Sequence, residues 1–161
     1  MDERGMLMIS GAARKAAAQE ALACNAGTER FGLVLTPEQA AMVAQARGEA
    51  LRRAGRVEFD GGALQALIFA FCDSPYLPKE GYAETLCALS EIFCAFQTDA
   101  EDEADDAETL ALMRRHFDEC RGSMDLLEDR MAAAARSVRY GGMPEDAEEA
   151  PEPLWEEETD E

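Results

Sequence analysis

From Leu110 onward the apolar residues Leu110, Met113, Phe117, Cys120, Met124, Leu127, Met131, Ala134 and Val138 recur at alternating steps of three and four. A strand would place an apolar residue at every second position, so this spacing fits only a helical seam. Gly122-Ser123 falls inside the seam, where glycine commonly ends a helix and serine commonly caps the next. Residues 106–139 therefore read either as two helices joined by a tight turn or as one long helix whose phase never breaks. A second stripe, Tyr82, Leu86, Leu89, Phe93 and Phe96, predicts a helix over residues 79–97, with Cys87 and Cys94 seven apart beside it.

The rest of the chain is punctuated in the same helical style. Residues 1–11 show no period and read as a flexible N-terminus, and the alanine-rich residues 12–24 predict a first helix that Asn25-Ala26-Gly27 stops. Thr36-Pro37-Glu38-Gln39 is a helix entry in which Thr36 caps the first amides, Pro37 suits the first helical position and Gln39 completes a capping box. The helix it opens should run over residues 37–54 and end at Gly55. Residues 63–72 are apolar on nearly all sides and predict a central helix, ended by Asp73-Ser74-Pro75. Phe31-Gly32-Leu33-Val34-Leu35 and Arg56-Val57-Glu58-Phe59 can pair as one minor two-stranded ladder. With only 7% aromatic residues and abundant alanine, the expected fold is all-α: a compact bundle of five or six helices spanning 12–142 around one core, followed by a disordered acidic tail over 143–161.

The net charge of −19 is segregated. Residues 99–108 hold seven acids and residues 144–161 hold ten, with no base in either, which leaves seventeen acids against all 15 bases. Acidic blocks of this kind are solvated, self-repelling segments, and they oppose the attraction to phosphate on which nucleic-acid binding depends. Nucleic acid is therefore not an expected partner. The five cysteines are odd in number and show no CxxC pair, which predicts reduced thiols and a cytoplasmic protein. Ala21-Leu22-Ala23-Cys24 has the outline of a lipoprotein cleavage site, but Arg14, Lys15 and Glu20 interrupt the apolar run a leader needs. No run approaches the roughly 20 residues of a membrane helix, so no membrane is expected.

Four stretches together resemble a family of small bacterial proteins catalogued only as a domain of unknown function. They are Phe31-Gly32-Leu33-Val34-Leu35-Thr36, Gly55-Arg56-Val57-Glu58-Phe59, Phe71-Cys72-Asp73-Ser74-Pro75-Tyr76, and Tyr82-Ala83-Glu84-Thr85-Leu86 with Glu91-Ile92-Phe93. The resemblance implies a bacterial intracellular origin and brings no activity, cofactor or catalytic residue.

The candidate chemistry is sparse. Asp73 and Ser74 at a helix end can face a ligand, or can simply form a turn with Tyr76 packed back on the core; no GxSxG elbow supports a nucleophile. His116, the only histidine, lies four residues before Cys120, but two ligands do not close a zinc site, and a surface or half-buried histidine is the expectation. Counted from Asp99, the acidic run puts Ala104 and Leu110 where a calcium loop needs glycine and glutamate. Arg47, Arg52, Arg53 and Arg56, and Arg114, Arg115 and Arg121, form two basic groups that could bind phosphate, suit the negative end of a helix dipole, or meet acids within the protein or on a partner. Pro151-Glu152-Pro153-Leu154-Trp155 places the only tryptophan among acids and prolines, as in docking peptides that order on binding, or as in a segment that folds back on its own domain.

The function expected is a non-enzymatic protein–protein interaction or regulatory role through a helical face and the acidic segments, with no cofactor and no metal. The interaction residues expected are Asp73, Ser74, Tyr76, Leu127, Met131, Leu154 and Trp155, the partner is a protein, and self-association is a further form of it. Two alternatives stand beside it: an acidic nucleic-acid mimic occupying a basic site on a partner, and an enzyme or metal protein using Asp73, Ser74, His116 or Cys120.

Overall fold

The computed structural model describes residues 3–56, 62–100 and 105–139, and among these it is all-helical, as expected. The helices are α1 (Glu3–Ala23), a single turn α2 (Asn25–Thr28) followed by a 3-10 turn (Glu29–Phe31), α3 (Pro37–Arg53), α4 (Ala63–Phe71), α5 (Tyr82–Asp99), α6 (Asp106–Glu119) and α7 (Met124–Arg139). The expected acidic tail and one half of the expected ladder lie outside the described residues. No helix among the described residues is long and apolar enough to cross a membrane. The chain divides into two compact units, residues 1–95 and 96–161, with the boundary inside α5.

In the first unit α1 begins at Glu3, well before Ala12, and packs on α3 and α4. At Gly48 α3 lies beside Arg14 of α1, where a Cβ would make ordinary contact, 3.6 Å from Arg14 Cγ. The capping box forms as read, with Thr36 Oγ1 accepting from Gln39 N at 3.1 Å and Gln39 Oε1 accepting from Thr36 N at 2.9 Å. At the other end Gly55, at φ 69°, lets Gly55 N reach Arg52 O and Arg56 N reach Leu51 O, which closes α3 in a left-handed cap. Among the described residues Leu33–Leu35 forms no strand. Asn25 takes the place of a strand partner, its side chain donating to Leu35 O and accepting from Leu35 N, both at 2.9 Å.

α4 buries Leu64, Leu67, Ile68 and Phe71, four positions on one helical face. It is less enclosed than its composition suggests, because Gln65, Ala66 and Phe69 lie on the opposite side and are exposed. α5 buries Tyr82, Leu86, Leu89, Phe93 and Phe96 as the stripe requires.

In the second unit α6 and α7 pack together and are separate helices. The break falls at Arg121 (φ 56°) and Gly122 (φ 82°), where Gly122 N bonds to Phe117 O and Arg121 N to Asp118 O. Asp105 caps α6 by accepting from Glu108 N at 2.7 Å. The seam keeps its phase across the turn, and Leu110, Met113, Phe117, Cys120, Leu127, Met131, Ala134 and Val138 are all buried.

Candidate functional site

An open cleft of about 420 Å³ lies where α2 and the 3-10 turn meet the end of α4, lined by Ala26, Gly27, Arg30, Phe31, Phe69, Cys72 and Asp73. Local hydrogen bonds fix this corner. Thr28 is buried and its hydroxyl donates to Leu33 O at 2.7 Å, while Gly32, at φ 79°, ends the 3-10 turn in a conformation that favours glycine. Gly27 has a steric reason too: a Cβ would lie 2.9 Å from the Phe69 ring, so α2 approaches that ring only because no side chain intervenes. Phe69 nevertheless remains 42% exposed, an aromatic face turned to solvent at the cleft. The Arg30 guanidinium sits 4.7 Å from the centroid of Phe31, and the Lys79 side chain runs close over Gly32.

Behind the cleft is a buried group of weakly acidic side chains. Burial pushes the Cys24 thiol up to about 11, with the nearby Glu20 and Cys72 adding to the effect. Burial also raises the Tyr82 phenol to about 12, aided by Cys24 and Cys72 and opposed by a hydrogen bond with Thr28. Cys24 Sγ donates to Glu20 O and Cys72 Sγ to Phe69 O. At neutral pH Cys24 and Tyr82 stay protonated, so neither is poised as a nucleophile. Cys87, raised to about 11 chiefly by burial, behaves the same way.

The Asp73-Ser74-Pro75-Tyr76 stretch borders this cleft. Ser74 is buried and its Oγ accepts from Tyr76 N at 3.2 Å, a turn bond that matches the structural reading of this motif. Tyr76 departs from the reading that packs it back on the core: it is 40% exposed, and Leu77 takes the buried place. Asp73 is exposed and reaches the cleft wall.

A family model described as "Family of unknown function (DUF6323)" matches residues 20–144. The chain belongs to this family. No curated protein and no solved structure matches. The DUF6323 match takes in the whole cleft, the Asp73 turn and the α6–α7 pair, and it ends before Leu154 and Trp155, which lie outside the described residues.

Two expectations from the sequence change. Leu127 and Met131, 0% and 2% exposed, are core residues; the seam was read as a surface because spacing reveals an apolar stripe but not what covers it, and here α6 and α7 cover each other. The outward apolar residue of α7 is instead Leu126, at 52%. His116 is neither on the surface nor half-buried but 1% exposed. Its Nδ1 lies 3.4 Å from Arg130 Nη1 and 3.6 Å from Glu119 Oε1, while Arg130 donates to Glu119 at 2.7 Å. This cluster ties α7 to the end of α6. Burial raises the Cys120 thiol as well, with Arg130 opposing and Glu119 adding to the shift. Arg47, grouped by sequence with Arg52, Arg53 and Arg56, is buried, with its guanidinium 5.5 Å from the Phe93 ring.

Among the described residues no group of three or more His, Cys, Asp or Glu side chains could hold a metal ion. The cleft residues Gly27, Arg30, Phe31 and Phe69 were missed by sequence reasoning. One signal was available for Phe69: the buried set of α4 falls at 64, 67, 68 and 71, which leaves position 69 on the other side of the helix.

Proposed function

We propose that this DUF6323 chain is a protein–protein interaction protein that receives an apolar side chain of its partner in the α2–α4 cleft. The observation that carries the reading is Phe69, a large aromatic residue exposed on a short helix whose other bulky residues are buried. Exposed aromatics set in a concavity and flanked by arginine are the usual anchors of protein interfaces. The buried, protonated Cys24 thiol and Tyr82 phenol beside the cleft favour docking over covalent chemistry there.

The test is affinity capture with the full chain and two surface variants, Phe69→Asp and Leu126→Asp, each first shown by circular dichroism to retain its helix content. A partner lost with Phe69→Asp and kept with Leu126→Asp supports the cleft. Capture that Phe69→Asp leaves intact refutes it. Loss in high salt of a partner that Phe69→Asp does not disturb favours the acidic mimic, whose attraction is screened.

A further inference from the structure

We infer that the α2–α4 cleft receives an acidic segment of another protein, whose apolar anchor meets Phe69 while flanking aspartates or glutamates meet Arg30 and Lys79. This rests on the reading of the cleft as a docking surface and goes beyond it by fixing the chemistry of the occupant.

The first line of argument is where two cations sit. The 3-10 turn carries Arg30, whose guanidinium lies over the Phe31 ring, 4.7 Å from its centroid. Gly32 ends that turn, and the Lys79 side chain crosses it so closely that a Cβ at Gly32 would lie 2.8 Å from Lys79 Cε and 3.0 Å from Nζ. The bare glycine therefore lets the ammonium lie against the same turn that presents Phe31 to the cleft. A guanidinium, an ammonium and the aromatic side chains of Phe31 and Phe69 are gathered at one corner of the first unit.

The second line is the charge balance there. With 34 acids against 15 bases, a base in this chain has acids in excess to pair with. Among the described residues Arg114 and Arg130 pair with Asp118 and Glu119, yet neither Arg30 nor Lys79 forms an ion pair. The Phe31 ring holds the Arg30 guanidinium without neutralising it, so an arriving carboxylate has no acid to displace. Asp73, the acid of the cleft wall, has a polar or electrostatic interaction of its own within the chain. The net charge of −19 repels an acidic ligand, but at about 0.15 M salt charges are screened beyond about 8 Å, so the groups in contact decide. Two cations beside an aromatic wall select an apolar anchor flanked by acids over the same anchor flanked by neutral residues.

The test uses the full chain at about 0.15 M salt and two labelled peptides followed by fluorescence anisotropy. One is Glu-Asp-Glu-Phe-Glu-Asp-Glu and the other its neutral counterpart, Gln-Asn-Gln-Phe-Gln-Asn-Gln. An exposed ion pair changes affinity roughly two- to five-fold, so with two cations the acidic peptide should bind about ten-fold tighter. Arg30→Gln combined with Lys79→Gln should bring the two peptides level, Phe69→Ala should weaken both, and Leu126→Asp should change neither. Circular dichroism confirms that each variant is folded. An acidic peptide that binds no tighter than the neutral one, or fails to bind at about 1 mM, overturns the proposal. So does a preference for acid that survives the double variant, because the contact then lies elsewhere. Equal binding of both peptides that Phe69→Ala still weakens retires the acidic occupant and leaves the proposed function standing. Binding that Phe69→Ala leaves intact refutes the cleft itself. Phe69-dependent dimerisation in sedimentation would give the cleft to a second copy and overturn the outside partner.

Discussion

α4 starts without a side-chain cap of its own, because its N-cap residue is Gly62 and glycine has nothing to offer the free amides of the first turn. Glu20 of α1 supplies the cap from 42 residues away, its carboxylate accepting from Gly62 N at 3.1 Å and from Gln65 N at 2.7 Å. Hydrogen bonds to a charged group contribute about 1.5–3 kcal/mol net, but Glu20 is partly solvent-exposed, which favours the lower end. Adding the favourable meeting of a carboxylate with a helix N-terminus, Glu20→Ala should cost roughly 2 kcal/mol, and Glu20→Gln, which keeps one neutral acceptor, roughly 1 kcal/mol. The better helix propensity of alanine returns only about 0.4 kcal/mol. The assay is amide hydrogen exchange read at Gln65, with urea unfolding as the global measure. A local loss of about 2 kcal/mol appears as roughly thirty-fold faster exchange at Gln65. If Gln65 exchanges at the parent rate in Glu20→Ala, the remote cap contributes nothing and the reasoning fails.

Two further outcomes follow from the backbone and from the buried acids. Arg121 holds φ 56° at the position Gly55 fills in the equivalent cap of α3, and a left-handed residue with a Cβ costs about 1 kcal/mol. Arg121→Gly should therefore raise stability by about 0.5–1 kcal/mol in urea unfolding, and an unchanged or lower midpoint would contradict this. Cys24 and Cys87 titrate near 11 and Tyr82 near 12 in the folded chain, against ordinary values of 9.0 and 10.0. Between those limits the folded state keeps protons that the unfolded state has lost, so stability is whole below pH 9 and falls as pH rises toward 11 to 12. Urea midpoints at pH 7.5, 9 and 10.5 should decline in that order, and a flat series would mean these groups are not buried as described.

The sequence features that proved legible are those whose partners lie within a few residues. The Thr36–Gln39 box closes over three residues, so it could be read from residue type and spacing. The α5 stripe and the α6–α7 seam were equally readable, since a period reports which residues share a face. The unbroken phase through Gly122-Ser123 could not decide between one helix and two, because the left-handed turn at Arg121 and Gly122 ends α6 while the buried seam positions on either side keep their spacing. Long-range substitutions for local structure were invisible. Nothing in residue order announces that Glu20 caps α4 or that the amide of Asn25 takes the place of the strand partner expected for Leu35.

The site failed to be read for a different reason. An apolar residue inside an apolar helix looks like core, and residues 63–72 are so uniformly apolar that composition alone makes Phe69 indistinguishable from Phe71. What separates them is angle: Phe71 closes the set begun by Leu64, Leu67 and Ile68, whereas Phe69 falls with Gln65 and Ala66, the most polar side of the helix. The same geometry sets Leu126 apart from Leu127 on α7, where one residue's turn of about 100° carries leucine from 0% to 52% exposure. An apolar residue that breaks the buried face of its own helix is therefore the signal to follow in this chain. At Phe69 that signal coincides with a concavity and a cation over a neighbouring ring, whereas at Leu126 the adjoining residues Asp125, Glu128 and Asp129 are exposed acids. Burying a partner on α7 would strip water from those carboxylates, a cost the α2–α4 cleft meets only at Asp73, so the cleft is the more favourable place for an apolar anchor to bind.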